Sequence, residues 1–141
     1  MITVLLADDH TMVREGLRYL LEAPGDIHIA ATASNGQEAM ELAMLECPDV
    51  VVMDVSMPIM DGIEATQHIC QGCPDTHVVM LSMHDTPEYV QRALQAGAAG
   101  YILKDDAGNE LVEAVRTLHR GKSYFSPKIA RIVKNLRDFF E

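Results

Sequence analysis

The sequence predicts an α/β domain in which helices cover both faces of a parallel sheet. Three observations predict it. Short aliphatic and β-branched runs recur along the chain, each is followed by a segment with apolar residues at helical spacing, and several of the runs stop at a chemically active side chain. Strands that alternate with helices are joined by crossovers and therefore run parallel.

The run Ile2–Ala7 is apolar on both faces, as a buried parallel strand is, and it stops at Asp8 and Asp9. Val13, Leu17, Leu20 and Leu21 then fall on one helical face until Pro24 and Gly25 break the pattern. A second strand is expected at Ile27–Ala33. Ser34 and Gln37 follow in capping-box spacing, ahead of a helical face of Ala39, Leu42 and Ala43. Cys47, Pro48 and Asp49 turn the chain into a third strand at 50–53, which ends at Asp54. After a loop, a helix is expected over about 62–71, then a strand at 78–81 that ends at Ser82. Thr86 as N-cap and Pro87 at the first helical position open a fourth helix with Val90, Ala93 and Leu94 inward. A fifth strand at 101–103 ends at Lys104, and Leu111, Val115 and Leu118 mark a fifth helix that stops near Gly121.

At 141 residues the chain is long enough for one full core, and its 48% apolar and 23% charged residues exclude disordered and fibrous classes. No apolar stretch approaches the roughly 20 residues needed to cross a bilayer. The three cysteines, Cys47, Cys70 and Cys73, are an odd number that argues against a disulfide framework and for a reducing, cytoplasmic location. Charge is unevenly spread. Residues 1–115 hold 4 Lys/Arg against 19 Asp/Glu, whereas residues 116–141 hold 7 against 2. A body this acidic repels nucleic acid and attracts divalent cations.

In a parallel sheet the carboxyl ends of all strands lie along one edge, so Asp8, Asp9, Asp54, Ser82 and Lys104 are expected to meet there. Three carboxylates in one pocket repel each other, and a divalent cation relieves the conflict. Few, hard oxygen ligands beside an open pocket suit Mg²⁺, which keeps several waters and shares itself with phosphate oxygens. A carboxylate nucleophile such as Asp54, with Lys104 and Ser82 to meet the equatorial oxygens, fits phosphoryl transfer.

Four motifs stand in order on these strand ends: LLADDH at 5–10, DVSMPIMDG at 54–62, LSMHD at 81–85 and GYILKD at 100–105. With them the chain resembles the receiver domains of two-component response regulators, of the NarL/FixJ (LuxR-type) class, over nearly its whole length. The resemblance implies a flavodoxin-like, doubly wound sheet of five strands in the order 2-1-3-4-5 with five helices. It implies a receiver over residues 1–121, and a linker with an amphipathic C-terminal helix over 122–141.

By the same resemblance Asp54 accepts a phosphoryl group from a sensor histidine kinase or a small acyl phosphate. Asp9, Asp54 and the Ser56 carbonyl hold Mg²⁺, with Asp8 acting through water. Lys104 and Ser82 contact the phosphoryl group, and Ser82 and Tyr101 form the switch. Ser56 and His84 tune how fast water removes the group. The chain then catalyses only its own phosphorylation and dephosphorylation, and its output is homodimerisation and transcriptional control through a DNA-binding domain missing from this chain. A stand-alone receiver or phosphorelay intermediate is the alternative. One departure stands out: many receivers place proline after the lysine, where this chain has Asp105; a cis peptide is rare without proline, and the sequence leaves the cis or trans state of the Lys104–Asp105 bond open.

Two other chemistries compete. An aspartate-nucleophile phosphatase also uses a strand-end aspartate and Mg²⁺, but usually has a second acid where Ser56 stands. His68, Cys70, Cys73 and His77 suggest zinc or a redox dithiol, although the cysteines straddle a helix end and leave the acidic cluster without a role. In the tail, Ser126 as N-cap and Pro127 open a helix with Ile129, Ile132, Val133, Leu136 and Phe139 on one face and Lys128, Arg131, Lys134 and Arg137 on another. This reads as a docking helix, with exposed Leu136, Phe139 and Phe140 as a source of self-association.

Overall fold

The computed structural model describes the backbone of residues 1–140 and the side chains of residues 1–138. Strands β1 (Ile2–Ala7), β2 (Ile27–Ala33), β3 (Val50–Asp54), β4 (His77–Ser82), β5 (Gly100–Leu103) and β6 (Tyr124–Phe125) form one sheet. Helices α1 (Thr11–Glu22), α2 (Gly36–Glu46), α3 (Gly62–Gly72), α4 (Pro87–Ala96), α5 (Ala107–His119) and α6 (Pro127–Phe140) accompany them.

The strand order is β2-β1-β3-β4-β5-β6, with every pair parallel. The order 2-1-3-4-5 expected from sequence therefore holds for five strands, and a sixth extends it. Tyr124 and Phe125 pair with Gly100 and Tyr101 along the edge of β5. A two-residue strand gives no periodic signal, so sequence patterning passes over it.

Alternation along the strands splits the core in two. Leu5, Ala7, Val51, Met53, Val78 and Met80 face Ala39, Ile63, Ile69, Val90, Ala93, Ile129 and Val133 from α2, α3, α4 and α6. Val4, Leu6, Val50, Val52, Val79 and Leu81 face Leu21, Leu111, Val115 and Leu118 from α1 and α5. Each face buries its own stripe, and the sheet is wound on both sides.

Four local expectations shift. Val13, expected inward on α1, is exposed, and Leu21 with partly buried Leu17 and Leu20 makes the contact instead. The cap of α2 is Asn35, whose side chain accepts the Glu38 N–H at 2.8 Å, one residue later than the Ser34 expected from spacing. Glu38 in turn accepts the Ser34 N–H at 3.3 Å. Serine and asparagine cap about equally well and both stand there, so spacing alone does not separate the two frames.

Ser126 does precede α6, but its hydroxyl accepts the Leu103 N–H at 3.1 Å, while its own N–H donates to the Tyr101 carbonyl. The fully buried Ser126 thus ties α6 to β5. Ile129 and Val133 are buried as expected, but Leu136 is half-buried against the core rather than exposed. Phe139 and Phe140, expected on the same surface, lie outside the described side chains. Ser126→Ala leaves the Leu103 N–H without its acceptor and is expected to cost about 1–2 kcal/mol, read as a lower urea midpoint at unchanged slope.

Candidate phosphoacceptor site

The site forms where the strand order reverses. Because β1 lies between β2 and β3, the carboxyl ends of β1 and β3 border one crevice, which receives Asp8 and Asp9 from one strand and Asp54 from the other. Asp8 and Asp54 are buried, at 0% and 2% exposure, and Asp9 is partly exposed. Together with His10 these side chains place ligand atoms within 4.8 Å of one another, the one such cluster among the described residues.

Charge in this crevice is only partly balanced. Lys104 Nζ lies 3.0 Å from Asp54 Oδ2 and 3.7 Å from Asp8 Oδ2. Burial pushes the Asp54 carboxyl above its ordinary range; the Lys104 hydrogen bond opposes this and the Asp8 charge adds to it. On Lys104, burial works against the ammonium, but the hydrogen bond and charge of Asp54 outweigh it and raise the pKa.

Backbone donors complete part of the ligation. Asp54 Oδ1 accepts the Ser56 N–H at 3.2 Å, and Asp8 Oδ1 accepts the His10 N–H at 2.8 Å. Asp8 Oδ2 and Asp9 Oδ1 are buried and accept no hydrogen bond, with Lys104 Nζ 3.7 Å from the first and His10 Nδ1 3.1 Å from the second. Two orphaned carboxylate oxygens beside a third buried carboxylate are what a hard divalent cation satisfies, so the donor set fits Mg²⁺.

The remaining sequence-selected residues lie on neighbouring strand ends. In the β4–β5 register Ser82 stands opposite Leu103, and Ser82 and Lys104 line the same cavity of about 110 Å³. Ser82 Oγ accepts the His84 N–H at 2.9 Å, and the fully buried Tyr101 donates its hydroxyl to the His84 carbonyl at 2.7 Å. Tyr101 is thus in the inward position. Ser56 Oγ is 3.2 Å from His84 Nε2, and the His84 ring stacks on Tyr89 with centroids 4.1 Å apart. The two positions expected to tune hydrolysis touch each other. The Lys104–Asp105 peptide is trans, as all described peptides are.

Several contributors carry no signal of their own in the sequence. Arg14 Nη1 donates to the Asp8 carbonyl at 2.7 Å and fixes the end of β1. Arg92 is the single basic residue lining an open groove that runs past Asp9, Ser56 and Pro58. The loop after β3 is shaped by two glycines. A Cβ on Gly62 would lie 2.1 Å from the Asp54 carbonyl oxygen, and one on Gly36 would lie 2.0 Å from that of Met60. Between them Ile59 is held at φ 71°, with the Met60 N–H donating to the Pro58 carbonyl at 2.8 Å, a strained γ-turn. Gly62 is visible in sequence as part of the DVSMPIMDG motif, but its role depends on how closely α3 approaches β3.

Residues 4–116 match the family described as the response regulator receiver domain. The chain belongs to this family. This receiver is 44% identical over 124 residues to the transcriptional regulatory protein YxjL of Bacillus subtilis, covering 88% of this chain and 57% of YxjL. Its fold is similar to that of a LuxR-family two-component response regulator from Aurantimonas sp., with TM-score 0.91 and 36% identity over 97% of this chain and 98% of that one. The isolated receiver domain of RcsB from Salmonella enterica serovar Typhimurium, solved with the phosphomimetic BeF3−, is similar with TM-score 0.83 and 25% identity, over 93% and 97% of the two chains. The receiver therefore spans little more than half the length of YxjL. It is a signalling domain of the NarL/LuxR class of response regulators.

Cys70 and Cys73 do not pair in this receiver. Cys70 Sγ faces the Gly97 carbonyl at 3.5 Å, whereas Cys73 Sγ faces Cys47. Among the described residues no helix is long and apolar enough to cross a membrane.

Proposed function

We propose that Asp54 accepts a phosphoryl group from a phosphohistidine of a sensor kinase, or from a small acyl phosphate, and that residues 122–141 carry the resulting change toward an output domain. The observation that carries this reading is the pairing of a buried Asp54 with Lys104 beside two carboxylate oxygens that accept no hydrogen bond. Asp54 attacks phosphorus, the bond to the donor nitrogen or acyl oxygen breaks, and the electron pair leaves with the donor. Lys104 keeps its charge next to the oxygens that become more negative.

Asp8, Asp9, Asp54 and the Ser56 carbonyl would hold Mg²⁺, which supplies further positive charge to those oxygens when bound. Ser82 has a hydroxyl free to donate once it turns from accepting the His84 N–H, and the phosphoryl oxygens are the acceptor that draws it. That differential contact is what shifts the population between conformers, because a phosphoryl group that met equal donors in both would shift nothing. Tyr101 reports the shift, since its hydroxyl is bonded to the carbonyl of the same His84. Ser56 and His84, in contact over the mouth of the site, govern the approach of water. The setting is the cytoplasm, and the output is homodimerisation and, through a DNA-binding domain, transcription.

Incubation with acetyl phosphate and Mg²⁺, a fast acid quench and borohydride reduction of the acyl phosphate will mark the acceptor. Reduction is expected at position 54 only. A mark on another carboxylate, or none at all, would overturn the reading.

A further inference from the structure

Away from the phosphoacceptor site, at the opposite ends of α2 and α3, three sulfur-bearing side chains converge. Cys47 caps α2 and Cys73 caps α3, and their Sγ atoms lie 3.0 Å apart. This is about 1 Å beyond a disulfide bond, a gap that small side-chain rotations close. Met44 Sδ lies 4.0 Å from Cys73 Sγ. Gly72 makes this approach feasible, since a Cβ there would lie 2.4 Å from the Met44 sulfur.

The two thiols are unequal. Cys47 is exposed and sits at φ 40°, a left-handed cap position that ordinarily favours glycine or asparagine. Cys73 is buried, at 4% exposure. Cys70, the nearer partner in sequence, is engaged on the α4 side of α3 against Gly97. Sequence spacing points to the Cys70–Cys73 pair, and the fold selects a different one.

We propose that Cys47 and Cys73 are a redox-responsive pair that closes to an intramolecular disulfide when the protein meets hydrogen peroxide. The exposed Cys47 sulfur attacks one peroxide oxygen; the O–O bond breaks, water leaves, and Cys47 becomes a sulfenic acid. The Cys73 sulfur then attacks the Cys47 sulfur, the S–O bond breaks, and hydroxide leaves with the Cys73 proton as a second water. Two thiols lose two electrons and two protons, and one peroxide is reduced to two waters. Burial, with Cys47 alongside, pushes the Cys73 thiol up to about 11, so the exposed Cys47 and not Cys73 is the sulfur that meets the peroxide first.

The bond joins the carboxyl ends of α2 and α3, and closes a loop over residues 48–72 that contains Asp54. The amino ends of the same two helices, at Gly36 and Gly62, are the ones packed on the loop after β3. Oxidation therefore staples the pair of helices that frames the phosphoacceptor loop, at the end where no site residue is disturbed.

The full chain, reduced and then treated with stoichiometric hydrogen peroxide, is blocked with N-ethylmaleimide and weighed intact. The expected product has lost two hydrogens and carries one blocked thiol, Cys70; proteolysis yields a Cys47–Cys73 linked peptide, and dithiothreitol reverses it. Its Tm is expected to rise by roughly 10 °C and to fall back on reduction. Cys70→Ser keeps both changes and Cys47→Ser loses both. Three blocked thiols after oxidation, a Cys70–Cys73 linkage, or Cys47 driven to sulfonic acid with Cys73 still free would each overturn the proposal.

Discussion

Replacing Asp54 by asparagine is expected to abolish phosphoryl incorporation and, in Mg²⁺-free buffer at neutral pH, to raise stability by on the order of 1 kcal/mol. The two effects have one cause. Asp54 is 2% exposed and shares its crevice with the fully buried Asp8, and Lys104 is the single ammonium set against both. Asparagine keeps the shape and the acceptor oxygen, removes the charge, and leaves Lys104 to serve Asp8. Because the folded pKa of Asp54 is raised, the native state binds more protons than the unfolded chain between the ordinary carboxylate value and the folded one. Stability of the native sequence therefore falls as pH rises through that window and stays lower above it, whereas the Asp54→Asn profile is flatter there.

Mg²⁺ is expected to reverse the ranking, since a ligand held by the native state alone stabilises it by about 2.7 kcal/mol at a hundredfold excess over its Kd. Urea titrations at several pH values, with and without Mg²⁺, test both statements. If Asp54→Asn were less stable than the native sequence without metal at neutral pH, the ion pair with Lys104 would outweigh the burial of the carboxylate, and the expected ranking would be overturned.

Gly62→Ala is expected to be the most damaging single-methyl change in the loop after β3, destabilising by about 3 kcal/mol or more. The added Cβ would meet the Asp54 carbonyl oxygen at 2.1 Å and the Met53 side chain at 2.9 Å. The first of these is backbone and has no rotamer to change. The Gly62 N–H also donates to the Val55 carbonyl at 2.9 Å, so α3 cannot back away without breaking the contact that closes the loop. What survives folding is expected to phosphorylate about a hundredfold more slowly, as a displacement of about 1 Å at the nucleophile commonly does. Gly108→Ala, on a helix with nothing within 4 Å of the new Cβ, is the control and should be neutral or slightly stabilising. Equal melting temperatures for Gly62→Ala and the native chain would refute the steric clash.

The site is legible in the sequence because its chemistry sits at strand ends. A strand announces itself by its apolar run, the residue that terminates it is unambiguous, and a parallel sheet sends all such residues to one edge. Asp8, Asp9, Asp54, Ser82 and Lys104 are therefore located by pattern and topology, and the structure brings them to one end of the sheet as expected. The errors fall where a local signal has two bearers or none. Ser34 and Asn35 are both competent caps, and only the helix axis selects the second. Val13 shares a helical face with Leu17 and Leu20, but the first turn of α1, Thr11 to Val13, is exposed to solvent. β6 is too short to have a period.

By itself, then, the sequence determined the alternation of strands and helices, the family, and the residues of the acidic crevice, because each depends on local pattern or on a rule of connection that every parallel sheet obeys. The tertiary structure alone decided which groups are left unpaired, how near Lys104 stands to each carboxylate, that Ser126 serves β5 rather than its own helix, and that Cys73 meets Cys47 instead of Cys70. Those are distances between residues far apart in the chain. They are set by how helices pack against the sheet, a sum over many side chains that no stretch of sequence contains.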